Sequence, residues 1–409
     1  MDKKTTIEGL YKTIGFFNYN SSEVKNIKDK MEKYTLDDND KKFLNNSYHS
    51  EYINIMFENS TVERLYRELD YELKIEKLNI SIQLNKLEIF LFNEDFKKEK
   101  LGIFSLSYNI ENRNIENLSD ISNALNRYDT SIIYKKKTYK LKEFISENIL
   151  NNKRFYEENS PSEQYLGSKF KNYIVIDFDH DQAKRDDLLY EIGTCSPIGT
   201  IKRNELNSPT LSYKNKMLEN SIACFKNYTG LALLDSFTVV GSNNYKKQDI
   251  YSHKGWDDIY YSIYIFNLYM KCTLQMLSND FSKNPMNKRK EFQKFYNSCF
   301  YNKIAFNFLP NELHHCMGKG LEIQDDINFI SNRLDTLATQ INENQQKQQE
   351  LLLLVISVIA LIEIPLLLDS FREMLGIENI ILYNICVYLL LFTTIISFIL
   401  IKIKHIKNK

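Results

Sequence analysis

Nothing limits what this chain can become more than the stretch NENQQKQQELLLLVISVIALIEIPLLLDSFREMLGIEN, Asn342 to Asn379. Glutamines crowd the approach, and then Leu351 to Leu368 is apolar apart from Ser357, Glu363 and Pro365. A second apolar run, Ile380 to Ile401, is broken only by Asn384 and small hydroxyls. A helix over the first run rises about 27 Å at about 1.5 Å per residue, close to the roughly 30 Å hydrocarbon thickness of a bilayer. With the short connection Asp369 to Asn379, the pair predicts a C-terminal transmembrane hairpin; two buried core helices are the alternative. The tail KIKHIKNK carries Lys402, Lys404, Lys407 and Lys409, whereas the connection holds Asp369, Glu373 and Glu378 against Arg372 alone. Positive charge marks the cytoplasmic side, so tail and N-terminal portion are both expected there, in a multi-pass protein of the inner (plasma) membrane.

Upstream, Ile323, Ile327, Ile330, Leu334, Leu337 and Ile341 recur at spacings of four and three, a heptad seam that continues into Asn344 and Gln348. A ring of helices around a wet axis suits a seam that turns polar, and so does a plain coiled-coil stalk. Between Asn311 and Glu363 only Gly318 and Gly320 interrupt, so one helix of roughly 80 Å is expected to run on to Leu368. Along it Gln349, Ile356, Ala360, Glu363, Leu367 and Ser370 fall on one stripe. A carboxylate facing lipid is costly, so this stripe is the candidate pore lining, with Ile356 and Ala360 as a constriction and Glu363 as a cation-attracting ring. Alternatively Glu363 reaches the outer interface or bonds to Asn384.

The remaining three hundred residues are read for chemistry. Lys+Arg and Asp+Glu are both 53, which leaves no basic excess to bind nucleic acid directly. Cys195, Cys224, Cys272, Cys299, Cys316 and Cys386 show no CxxC spacing, and the start MDKKTTIEGL has no signal-peptide core, so a reduced, cytosolic portion is expected. Leu78, Ile80, Ile82 and Leu84 alternate with polar residues, and Leu87–Phe92 and Ile103–Tyr108 follow around NEDFKKEK, which predicts an antiparallel meander. Asn172–Asp179 and Ser236–Val240 are further strand candidates. In Trp256–Leu277, Ile259, Ile263, Phe266, Met270 and Leu274 recur at three and four, as in a helix. In DFDHD, the carboxylates of Asp177, Asp179 and Asp181 would share one face of an extended strand and make a candidate metal site; a solvated turn is the competing reading. His314, His315 and Cys316 are zinc-ligand types without a further ligand at suitable spacing. Walker, GxGxxG, GxSxG and HExxH motifs are absent, so no enzyme class is indicated.

A long stalk helix entering the first of two C-terminal membrane helices, the Ile364-Pro365 pair within it and a basic tail together resemble the CorA-type metal-ion channel family. That resemblance implies a pentamer lined by the first membrane helix. The family's Gly-Met-Asn signature is missing; the nearest stretch is Gly376-Ile377-Glu378-Asn379. Divergent CorA-like proteins found beside type III CRISPR systems also lack it, and KLEIFLFNEDFKKEKLGIFSLSYNI and ALLDSFTVVGS look like their cytosolic domains. The expectation is therefore an α+β cytosolic ligand-sensing domain over 1–310, a stalk helix or coiled coil over 311–350, and a transmembrane hairpin with a basic tail over 351–409. The implied function is an oligomeric membrane channel or effector in antiviral defence. Its gate would be a small nucleotide second messenger of the S-adenosylmethionine–AMP type, and its other partner the lipid bilayer. A magnesium transporter and a membrane-anchored metal-dependent enzyme are the alternatives.

Overall fold

The computed structural model describes residues 8–58, 61–93, 100–110, 114–153, 155, 169–177, 182–202, 208–241, 254–278, 285–376 and part of 381–396. It divides into two compact units, Met1–Asn332 and Arg333–Lys409. The first is built on one mixed sheet. Its strands are β1 Glu8–Tyr19, β2 Glu32–Lys33, β3 Val62–Ile75, β4 Ile80–Phe92, β5 Lys100–Ile110, β6 Ser131–Tyr134, β7 Lys137–Lys140, β8 Lys171–Asp177, β9 Ser221–Ile222, β10 Tyr228–Leu233 and β11 Ser236–Gly241. Their order is β7-β6-β3-β4-β5-β1-β8-β11-β10-β9, with β2 added to β3. Among the described strands only β8 and β11 pair in parallel, and a parallel pair needs a long crossover, supplied here by residues 178–235.

The described helices include α1 Ile115–Asn126, α2 Gln182–Gly193, α3 Ile259–Ser278, α4 Phe308–Gly320 and α5 Ile323–Leu375. Residues alternate between faces along a strand, and both faces of the central strands are covered, so β8 is buried along its whole length. One face, carrying Tyr11, Phe17, Leu87, Ile89, Phe104, Leu106, Ile174 and Ile176, joins a core with Leu118 and Ile121 of α1 and Leu189 and Ile192 of α2. The other face meets α3 through aromatic pairs: Tyr173–Tyr261 at 5.1 Å, Phe90–Tyr261 at 6.1 Å and Phe92–Tyr269 stacked at 3.9 Å between ring centroids. Two glycines make the first core fit. Gly15 stands opposite Phe104 and Gly102 opposite Phe17, and a Cβ at either would lie 2.3 or 2.4 Å from the facing ring.

Of the meander read from the sequence one antiparallel pair is present, β4 with β5: the first two expected strands are a single one, Ile80–Phe92, with an irregularity between Leu84 and Lys86, and Leu78 lies in the turn before it. Strands β1, β3 and β10 carry no equally plain alternation and were not expected. The roughly 80 Å helix expected from Asn311 is divided into α4 and α5 at Leu321 and Glu322. Gly320 ends α4 against β10, where a Cβ would lie 2.3 Å from the Ala232 carbonyl oxygen, and Glu322 takes a left-handed conformation with φ 56°.

The expected fold class, an α+β domain with a long stalk and a transmembrane hairpin, is overturned. A large mixed sheet with helices is present, and among the described residues no helix is long and apolar enough to cross a membrane. Within α5 the stretch Leu351–Leu368 is interrupted by Ser357 and by the exposed carboxylate of Glu363. The multi-pass inner-membrane location, the ion channel and the pore are corrected with it. Much of Ile380–Ile401 and all of Lys402–Lys409 lie outside the described residues.

Candidate functional site

Two places in the first unit gather polar side chains where apolar ones would be expected. The first is on the sheet face beneath α3. Register places Lys12 of β1, Arg64 of β3 and Glu88 of β4 on that face, and all three are buried. The Glu88 carboxylate receives Lys12 Nζ at 2.7 Å, Arg64 Nη2 at 2.7 Å and, more distantly, Lys86 Nζ at 3.4 Å. Lys12 also pairs with Asp257 at 2.9 Å, and Arg64 Nη1 donates to Asp258 Oδ1 at 2.5 Å. Tyr34 donates its hydroxyl to the other Asp258 oxygen, and its ring lies 3.9 Å beneath the guanidinium. Burial by itself would raise the Glu88 pKa, but Lys12 and Arg64 outweigh it and hold the carboxyl well below the usual range. Burial by itself would lower the Lys12 pKa, but Glu88 and Asp257 raise it. Three cations thus face three carboxylates. A network so closed holds strands and helix in one arrangement and offers no uncompensated charge to a ligand.

The second place is a cavity of about 440 Å³ where α3, α4 and the first turn of α5 meet, capped by Phe300, Tyr301 and Asn302. That volume lies within the range of roughly 300–1,000 Å³ typical of small-molecule sites. Its buried floor is Asn267 and Met270 of α3, His314 of α4 and Ile323 of α5. His315, Lys319, Glu322, Gln324 and Asp325 form an exposed rim.

The floor is held in one protonation pattern. Asn267 Nδ2 faces the Ile263 carbonyl at 2.8 Å, one turn back on the same helix, and only a donor can face a carbonyl. Its other contact, His314 Nδ1 at 3.0 Å, must therefore accept, so His314 carries its proton on Nε2 and donates it to the Tyr301 carbonyl at 3.3 Å. Burial, with His315 adjacent, pushes the His314 pKa down to about 4, so the ring is neutral near pH 7. This leaves Asn267 Oδ1, in a residue with no exposed surface, without a hydrogen-bond partner among the described residues. A buried acceptor left unpaired costs about 1–3 kcal/mol. It faces Gly318, also on the cavity wall, where a Cβ would lie 3.5 Å from it and nothing else is within 4 Å.

The surroundings are fixed from several sides. Asn311 accepts from the backbone N–H groups of Ile304 and Ala305 at 2.9 and 3.1 Å and donates to the carbonyls of Ala305 and Asn307, which sets the entry to α4. Ile323, Ile327 and Ile330 are buried, and Lys271, itself buried on α3, pairs with Asp326 at 2.8 Å. Lys319 Nζ is turned away to the Glu219 carbonyl at 3.0 Å. What remains is a neutral, hydrogen-bonding floor under an acidic rim, suited to binding. Its histidine has both ring nitrogens engaged and none left to act as a base.

The residues singled out from the sequence lie elsewhere. Asp177 is buried at the end of β8, while Asp179 and Asp181 lie outside the described residues. Among the described residues no three His, Cys, Asp or Glu side chains are placed to hold a metal. His314, His315 and Cys316 point apart, as consecutive helical residues must: into the cavity floor, to the rim, and toward the Asn220 carbonyl, to which Cys316 Sγ donates at 3.1 Å. Burial pushes that thiol up to about 12. Gln349, Ile356, Ala360, Glu363, Leu367 and Ser370 form one exposed stripe on α5, and their assignment as a pore lining falls with the membrane span. The sequence reading missed Asn267 and Lys271, although a polar pair at i and i+4 inside IYYSIYIFNLYMKCTLQ was a signal. So were the lone charges in GLYKTIGFF and KLEIFLF.

Compared with family models, with curated proteins and with solved structures, the chain matches none, so the CorA-like resemblance gains no support there.

Proposed function

We propose that the chain is a ligand-responsive effector. In this reading the first unit binds a small polar molecule in the cavity beside α5, and occupancy changes how the start of that helix is held. One observation carries it: a single cavity is lined by α3, by α4 and by the first turn of α5, with a buried acceptor unpaired in its wall. A ligand that touches all three contributes free energy that depends on their relative position, which is what a conformational response requires. The exposed left-handed residue between α4 and α5, Glu322, is a two-sided joint at the same place. In the setting that the resemblance implies, type III CRISPR antiviral defence, the molecule would be a nucleotide second messenger. An S-adenosylmethionine–AMP conjugate offers a purine for the half-buried Phe300 and Tyr301 and an ammonium group for the acidic rim. A homo-oligomer is part of the proposal, because Leu351 to Ile359 expose apolar side chains around α5 that another copy would cover.

The test is a thermal-shift screen of nucleosides, nucleotide conjugates, amines and amino acids, followed by hydrogen exchange with the best ligand. At about 100 times Kd the stabilisation is about 2.7 kcal/mol, a rise in Tm of roughly 3–4 °C for a chain of this size. Slower exchange is expected at amides 300–302 and 318–327. A ligand that protects only amides elsewhere, or a screen without a stabilising ligand, overturns the reading.

A further inference from the structure

Cations and carboxylates balance over the whole chain, but they are not spread evenly along it. Between Ser131 and Lys140 stand Lys135, Lys136, Lys137 and Lys140 and no acidic residue. All four are exposed, on the connection and the outer strand of the β6–β7 hairpin, which ends the sheet. We propose that this hairpin is a contact for double-stranded DNA, made to phosphates without regard to base sequence. It uses none of the cavity's groups and stands apart from the ligand-sensing reading.

The ribbon is anchored by its tyrosines. Tyr134 and Tyr139, both half-buried, pack on the buried Phe144 at 5.2 and 5.8 Å between ring centroids, and Tyr134 also meets Tyr71 of β3 at 5.5 Å. Lys135 and Lys136 take left-handed φ angles of 47° and 66°, which a two-residue type I′ connection demands and which Asn-Gly meets without strain. Lysine does nothing for such a turn, so the two cations serve something outside it. On an edge strand lysine also deters pairing with other chains, but that role calls for cations along the strand, not at its left-handed turn. Nor are they neutralised. Among the described residues no carboxylate pairs with any of the four: Lys140 Nζ donates to Ser131 Oγ at 3.3 Å, and Glu143 turns its carboxylate to the Lys140 backbone N–H. Geometry then chooses among anionic partners. Alternation puts Lys137 on one face of the ribbon and Lys140 on the other, so with the tip the cations point three ways. A major groove, about 12 Å wide and walled by phosphates on both sides, admits a two-stranded ribbon and meets them all, whereas a flat bilayer meets only the tip. Lys135 and Lys137 hold their ammonium groups 5.0 and 4.4 Å from the ring centroids of Tyr134 and Tyr139, which covers the faces that unstacked bases of a single strand would need.

The experiment is fluorescence anisotropy with the full-length chain and a labelled DNA duplex of arbitrary sequence. Micromolar binding is expected at low salt, and four phosphate contacts give log K a slope of about −3.5 against log salt. K135N/K136G removes two cations and gives the turn the residues it prefers, so the melting temperature should hold or rise while affinity falls at least about fivefold and the slope shrinks by about 2. K135R/K136R keeps the charge and should bind as the wild type does. No duplex binding at protein concentrations up to about 100 µM, at the weak end of non-specific affinity, overturns the assignment. So does an affinity and slope untouched in K135N/K136G, or a single strand of the same length bound more tightly than the duplex. Anionic vesicles held by the wild type and released in K135N/K136G, with the duplex unbound, would give the hairpin to a membrane surface instead.

Discussion

His314 owes its chemistry to the groups opposite it. In water the imidazole would titrate near 6.5; buried against Asn267 and the Tyr301 carbonyl it takes a proton only near pH 4. Above pH 6.5 the ring is neutral in both folded and unfolded chain, and its contribution to stability is whole. As the pH falls, the unfolded chain binds the proton first, so stability declines between pH 6.5 and about 4 by roughly 3 kcal/mol. Urea unfolding at half-unit steps of pH should show this slope, and His314→Gln should flatten it. Glu88 acts lower. Its folded pKa is depressed below 4.5, so what it contributes is complete above that value and is lost as the pH falls further toward the folded pKa. Gly318 makes a different point. A glycine inside a helix costs about 0.5–1 kcal/mol relative to alanine, and here a Cβ meets no close contact. Gly318→Ala should therefore raise unfolding stability by about that amount; a loss would mean that the wall around Asn267 is tighter than its distances indicate.

Where helices and strands meet, the charges decide how firmly they are joined. Lys271 and Asp326 fasten the first turn of α5 to α3. Asp326→Ala leaves the buried ammonium without its carboxylate, and a buried polar group left unsatisfied costs about 1–3 kcal/mol. Hydrogen exchange over 323–332 should quicken in this variant while β4 and β5 keep their protection. Unchanged exchange there would show that the buried Ile323, Ile327 and Ile330 hold the helix without help. Beneath α3, Glu88→Gln leaves Lys12 and Arg64 short of one negative charge in a closed network, and removing one partner of a buried pair costs about 3–5 kcal/mol. Chemical denaturation should register a fall of that size. A loss under about 1 kcal/mol would mean that water already reaches the network.

For the molecule entire, the outstanding demand is the apolar surface of α5. Leu351, Leu352, Leu353, Val355, Ile356, Val358 and Ile359 are all exposed in the single chain, on every side of the helix. Contiguous apolar surface of that kind drives association. Light scattering coupled to gel filtration is expected to give the native protein a mass that is a multiple of 48.5 kDa. The variant L352E/I356E/I359E should return to the mass of one chain with its first unit intact. A wild-type protein that elutes as one chain would overturn the proposed oligomer.

How much of this was written in the sequence differs from feature to feature. Alternation in KLEIFLF and LGIFSLSY, and the three-and-four spacing from Ile259 to Leu274, report a local periodicity, so β4, β5 and α3 were legible from neighbours alone. The length of an apolar run is equally local, yet it does not say what the run faces. From composition, Leu351–Leu368 pointed to a bilayer, and the described helix is not a membrane span. The heptad from Ile323 to Ile341 pointed to a partner helix, but its first three members, Ile323, Ile327 and Ile330, are buried in the chain's own first unit. The cavity was out of reach for a further reason. Asn267, Tyr301, Gly318, Glu322 and Asp325 are separated by up to about sixty residues and become neighbours only because Gly320 lets α4 close onto β10 and Glu322 turns the chain back into α5. Backbone preference is set residue by residue and can be read along a line. Which polar group is left without a partner depends on all the groups that surround it, and those were chosen by the packing of helices on the sheet.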